Sequence, residues 1–141
     1  MNTPNLSKLF ITNQTTEKID PGIFESVFQI LEKGEKIPNG KTVDLVLCNN
    51  DAIQRINKKF RGVNKPTDVI SFKSDFCQSD SLGEIIIDLN TAEMQRGDKS
   101  LKRELQELFL HGFLHILGYD HISAKDKNTM SQIENKYLKA L

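Results

Sequence analysis

A chain of 141 residues, with 38% hydrophobic and 27% charged side chains, is long enough to bury one core and has the composition of an ordinary soluble domain. Nineteen Lys and Arg balance nineteen Asp and Glu, and a net charge of zero excludes a protein that coats nucleic acid by charge alone. No apolar run approaches the roughly twenty residues that span a bilayer, no signal peptide is apparent, and Cys48 and Cys77 form no motif, so the expectation is a cytoplasmic protein with free thiols and no membrane partner.

Lys8–Thr12 (KLFIT) reads as a short strand. Asp20 before Pro21 predicts a helix N-cap with proline at the first helical position, and Ile23, Phe24, Val27, Ile30 and Leu31 then recur at helical spacing until Gly34. Thr42–Cys48 (TVDLVLC) is a strand in which Cys48 serves as a small buried hydrophobe. Asn49 and Asn50 can cap a helix running to about Phe60, with Ile53 and Ile56 inward and Gly62 ending it. Thr67–Phe72 and Leu82–Asp88 are strands joined by a polar loop that holds Cys77. A short helix near Thr91–Arg96 precedes a long one from about Leu101 to Leu117, and Ser123 with Asp126 three residues later resembles a capping box that opens a C-terminal helix. No repeat, low-complexity tract or linker interrupts the chain. The pattern predicts one domain over residues 1–141, an α+β fold in which a mixed sheet of about four strands packs with helices.

The long helix changes character along its length. Leu101, Leu105 and Leu108 follow one face, but from Leu108 to Leu117 almost every residue except the histidines is apolar, as in a buried helix. All three histidines of the chain fall in HGFLHILGYDH, residues 111–121. His111 and His115 are four apart and share a face; Gly118 can reverse the chain and bring His121 back toward them. Three imidazoles match a catalytic zinc, which takes three protein ligands and keeps a fourth position for water. The expected cofactor is therefore one Zn2+ per chain, at the end of the long buried helix, on His111, His115 and His121. The spacing is that of the HExxHxxGxxH zinc proteases, except that Gly112 stands where those carry the glutamate base. A closed structural zinc would need a fourth ligand, for which Asp120 is the nearby candidate.

Charge is uneven along the chain: residues 51–75 carry a net +3 and residues 76–98 a net −4. Arg55, Lys58, Lys59, Arg61 and Lys65 crowd the positive block, either as a solvated helix face or as phosphate contacts. Phe60 and Phe72 are assigned to core packing in preference to base stacking. Arg61, before Gly62 at a helix end, is open to two readings, a surface salt bridge or a charge reaching into a cleft.

The HGFLHILGYDH segment, together with NKKFRGVNKPTDVISF at residues 57–72, resembles the two signature blocks of the YbeY family of bacterial single-strand-specific endoribonucleases. Block order and length also match, from about Leu9 to Tyr137. Lys73 stands where the family usually has proline, and Gly83-Glu84-Ile85 where it usually reads G-D-I. The resemblance implies a zinc-dependent RNase with His111, His115 and His121 as metal ligands and Arg61 as the catalytic arginine. It also implies single-stranded RNA as partner, the 16S rRNA precursor matured at its 3′ end, and contact with the ribosome or small-subunit assembly factors in ribosome quality control.

Chemistry points the same way. Neutral imidazoles leave the metal its full charge, and a phosphodiester asks chiefly for neutralisation of phosphoryl oxygens, which an arginine fork supplies. Two rivals stay open at the level of sequence: a zinc peptidase or amidase with a base such as Glu84 in its cleft, and a non-catalytic ribosome-assembly module with a structural zinc.

Overall fold

The computed structural model describes residues 8–74, 80–119 and 124–141. In chain order the elements are β1 (Lys8–Asn13), α1 (Gly22–Gly34), β2 (Thr42–Cys48), α2 (Asn50–Arg61), β3 (Val69–Lys73), β4 (Ser81–Asp88), α3 (Leu89–Gln95), α4 (Leu101–Ile116) and α5 (Ala124–Lys139). The four strands form one mixed sheet in the order β1-β2-β4-β3; β1, β2 and β4 run parallel, and β3 is an antiparallel edge strand on β4. This is the expected α+β architecture, with five helices.

Strand alternation divides the core. Val43, Leu45, Leu47, Ile85 and Ile87 face α1 and α4, where they join Phe24, Phe28, Phe109 and Phe113 in the main apolar cluster. Phe109 packs edge-on to both Phe24, at 5.5 Å, and Phe113, at 5.7 Å. Val46, Ile70 and Ile86 face the other way, under Ile53 and Ile56 of α2. Cys48 belongs to this second cluster; burial and the nearby Asp88 carboxylate push its thiol up to about 11, so it stays protonated and behaves as the expected small hydrophobe. Cys77 lies outside the described residues.

Boundaries moved where side chains compete for backbone groups. Pro21 has helical dihedrals and Asp20 Oδ1 accepts from the Gly22 N–H at 2.9 Å, which is the predicted cap of α1. At α2 the Asn49 side chain makes no cap bond; Asn90 Oδ1 accepts from the Asn50 N–H instead, at 3.0 Å, a contact between residues 40 apart. Strand β3 starts at Val69, not Thr67, because Asp68 Oδ1 captures the Val69 N–H at 2.7 Å. Helix α3 starts at Leu89, ahead of the expected Thr91, because the Asp88 carboxylate caps it through the Asn90 N–H. Ser123 lies outside the described residues, so the predicted capping box does too.

Helix α4 buries nearly its whole circumference from Leu108 onward, as its composition predicts. Two polar residues share that burial: Gln106 donates to the Ile23 carbonyl at 3.0 Å, and Glu104 receives Lys99 at 2.6 Å. Gly112 lies where α4 meets the sheet, and a Cβ there would sit 3.0 Å from Ile85 Cγ2 and 3.3 Å from Val69 Cγ2. The helix can come this close to the sheet only because residue 112 lacks a side chain. Among the described residues no helix is long and apolar enough to cross a membrane.

Candidate active site

A cleft of about 710 Å³ opens between the edge strand β3 and the histidine face of α4. Arg61, Ser71, Lys73, His111, His115 and Glu134 are on its walls. Four separate elements supply these groups, so residues up to 73 positions apart converge on one opening.

His111 and His115 escape the burial that their neighbours undergo. Their rings stand edge-to-face at 4.6 Å, and the two Nε2 atoms approach to 3.1 Å. On the far side of its ring, His111 Nδ1 lies 3.3 Å from Glu134 Oε1 of α5. A carboxylate only accepts, so Nδ1 carries the hydrogen and donates, which leaves the Nε2 lone pair aimed at His115. This is the arrangement in which a carboxylate orients a metal-ligating imidazole. Two nitrogens bound tetrahedrally to zinc at 2.0–2.1 Å would be about 3.3 Å apart. The observed separation is within a few tenths of that, so the described pair fits a small divalent metal. The third expected ligand, His121, lies outside the described residues, as does Asp120. Among the described residues no group of three metal-ligating side chains converges.

Arg61 is the last residue of α2 and is exposed at the cleft mouth. Gly62 stops the helix with a left-handed φ of 72°, and its N–H bonds the Lys58 carbonyl. Asn57, 3% exposed, braces the following loop through a 2.9 Å bond from its side-chain amide to the Lys65 carbonyl. Arg61 forms no ion pair among the described residues. The cleft carboxylates, in contrast, are engaged. Lys99 reaches Glu104 and Glu107, each at 2.6 Å, and these bonds raise the Lys99 pKa. Gln95 donates to both Asp68, at 3.0 Å, and Glu104, at 2.7 Å.

Glu84, the base that a peptidase would require, is not on the cleft. It pairs in register with Asp44 and Phe72 on the opposite face of the sheet, where burial and Asp44 raise its pKa. Phe60 departs from its expected core role: it is 60% exposed, while Phe72 is half-buried against the second cluster. Glu134, Asn57 and Gln95 were missed by sequence reasoning. Each is a polar residue on an amphipathic helix, and nothing local distinguishes it from its solvated neighbours.

Residues 10–141 match the family described as Endoribonuclease YbeY. This chain belongs to the YbeY endoribonuclease family. It is similar to the Endoribonuclease YbeY of Acholeplasma laidlawii, 39% identical with 82% of each chain covered. With that of Lactiplantibacillus plantarum it is 34% identical over 94% of this chain and 96% of the relative. With that of Helicobacter pylori the identity is 37%, over 94% and 90% respectively. The solution structure of TM1509 from Thermotoga maritima is similar to this fold with a TM-score of 0.65 and 28% identity, covering 94% of this chain and 87% of that one. Arg61, His111 and His115, which wall the cleft, all lie within the residues that match the family.

Proposed function

We propose that the whole chain, residues 1–141, is one zinc-dependent domain that cuts single-stranded RNA in this cleft, with His111, His115 and His121 holding one Zn2+ and Arg61 as the catalytic cation. The observation that carries the reading is the 3.1 Å approach of the His111 and His115 Nε2 atoms in the same cleft as Arg61. When bound, the ion supplies Lewis acidity, which can lower the pKa of a water from about 15.7 to around 7. Glu134 fixes the His111 tautomer that such a ligand needs. Arg61 supplies a planar, permanently charged fork for the phosphoryl oxygens as negative charge builds on them. Lys73 adds a second cation to the wall. The cleft carboxylates each have a partner: Lys99 for Glu104 and Glu107, Gln95 for Asp68, and His111 for Glu134. Gly112 gives the helix no glutamate at the position a zinc protease uses as base. Family membership extends the reading to the 16S rRNA precursor, with the ribosome or its small-subunit assembly factors as partners in the cytoplasm.

The test places wild type, His115→Ala and Arg61→Ala beside one another on a labelled single-stranded RNA, with and without chelator. Wild type is expected to cut, and chelator or His115→Ala to abolish cutting. Arg61→Ala should lose most of the activity with its zinc content unchanged, and Arg61→Lys should recover part of it. Equal rates for wild type and Arg61→Ala would remove the arginine from the chemistry, and chelator-resistant cutting would remove the metal.

A further inference from the structure

Phe60 poses a problem that the cleft chemistry leaves unsolved. The inward stripe of α2 runs Ile53, Ile56, Asn57, Phe60 at helical spacing, so Phe60 has a core position by periodicity. Yet Ile53 is 0% exposed and Phe60 is 60% exposed. Near the end of the helix the neighbour of Phe60 is the Phe72 ring of the edge strand β3, 5.2 Å away and tilted by 68°. That contact is T-shaped, and most of the Phe60 side chain stays exposed to solvent. The next residue in the chain is Arg61.

We propose that Phe60 is a stacking platform for one nucleobase of a single-stranded RNA whose backbone passes Arg61 into the cleft. The proposal rests on the endoribonuclease reading of that cleft. The surroundings select the ligand class. Lys58, Lys59, Arg61 and Lys65 are all exposed around the ring, and none of them is in an ion pair among the described residues. Lys59 Nζ lies over the Phe60 ring, 5.2 Å from its centre, so a base that stacks there shares the ring with this cation or displaces it. A flat apolar face ringed by free cations suits a polyanion that carries aromatic faces. Single-stranded RNA offers both, whereas a duplex keeps its base faces stacked on each other. One phenyl ring is also far smaller than the roughly 800 Å² per partner of a stable protein interface. Glu84 and then Asp44 follow Phe72 in register on the neighbouring strands, so acidic side chains lie on that side. Ser71 and Lys73, the neighbours of Phe72 along β3, line the cleft.

The experiment measures the Kd of a labelled single-stranded RNA 12-mer by anisotropy for wild type, Phe60→Ala, Phe60→Leu and Phe60→Trp. A parallel series of 12-mers carries one abasic nucleotide at successive positions. Zinc content and melting temperature of each variant serve as folding controls. Phe60→Ala and Phe60→Leu should each weaken binding roughly tenfold, the size of one lost base–aromatic stack, and Phe60→Trp should match or exceed wild type. One abasic position should weaken binding to wild type and have no effect on Phe60→Ala, because ring and base then form a single contact. Equal Kd for wild type and Phe60→Ala overturns the platform whatever the cleavage assay shows. So does full rescue by Phe60→Leu, which would mean that apolar bulk and not an aromatic face is needed. Failure of wild type to cut RNA overturns the nuclease reading, and the Kd series decides the platform separately.

Discussion

Gly112 shows how much one side chain can decide. In a zinc protease of the same histidine spacing this position carries a glutamate, yet here the missing Cβ lets α4 press onto Ile85 and Val69. Helix propensity alone would favour alanine by up to about 1 kcal/mol. Contact at 3.0 Å with Ile85, on an inner strand of the sheet, opposes it, and overpacking typically costs about 1–3 kcal/mol. Gly112→Ala is therefore expected to lose about 1 kcal/mol of stability, read as a lower denaturant midpoint at constant slope. Gly112→Glu should lose more and should also cut RNA more slowly, since it adds a carboxylate to a wall that receives phosphate. A stabilised Gly112→Ala would show that β3 and β4 yield to the added methyl group.

Helix α5 matters through where it is docked. Its Tyr137 hydroxyl and that of Tyr119, just beyond α4, both donate to the Glu35 carboxylate at the end of α1; the Tyr119 bond is 2.7 Å. Both phenols are pushed up by these bonds and by burial, so they remain donors. Gly34 makes room for this bracket, since a Cβ there would collide with the Tyr137 ring. One turn before Tyr137, Glu134 meets His111. Glu134→Gln keeps the shape but gives up the charge that selects the His111 tautomer. It should weaken zinc binding 10–100-fold in a competition with a coloured chelator, with little change in the melting temperature of the metal-free protein. Unchanged zinc affinity would make the Glu134 contact a surface ion pair with no part in the site.

The whole molecule offers an electrostatic pattern that composition hides. Net charge is zero, yet exposed cations of α2 and the loop after it flank Arg61 at the cleft mouth in sequence, while Glu104 and Glu107 of the wall share Lys99. Salt should therefore slow cleavage of single-stranded RNA, with a logarithmic rate that falls linearly with logarithmic salt at sub-saturating RNA. The same sequence as a duplex should resist, because A-form geometry holds its phosphates on a stiff scaffold and away from a recessed site. Unfolded polypeptide should remain intact in the same buffer. A salt-independent rate would show that the basic block does not touch the substrate, and chelator-sensitive proteolysis without RNA cleavage would restore the peptidase reading.

What the sequence by itself determined was local. The helices, the strands and the glycine stops are readable because their periods and caps involve residues a few positions apart, and the His111–His115 face follows from a spacing of four. The family signature was legible for the same reason, since each of its blocks is contiguous. Only the tertiary structure decided the strand order β1-β2-β4-β3, the meeting of Arg61 with the histidines, and the use of Glu134 to orient His111. It also exposed Phe60, which had been assigned to core packing, and buried the polar Glu104 and Gln106. These outcomes depend on how elements pack: an inward position at the end of a helix beside an edge strand is left largely in water, and a helix packed on most sides carries polar residues inward and finds them partners.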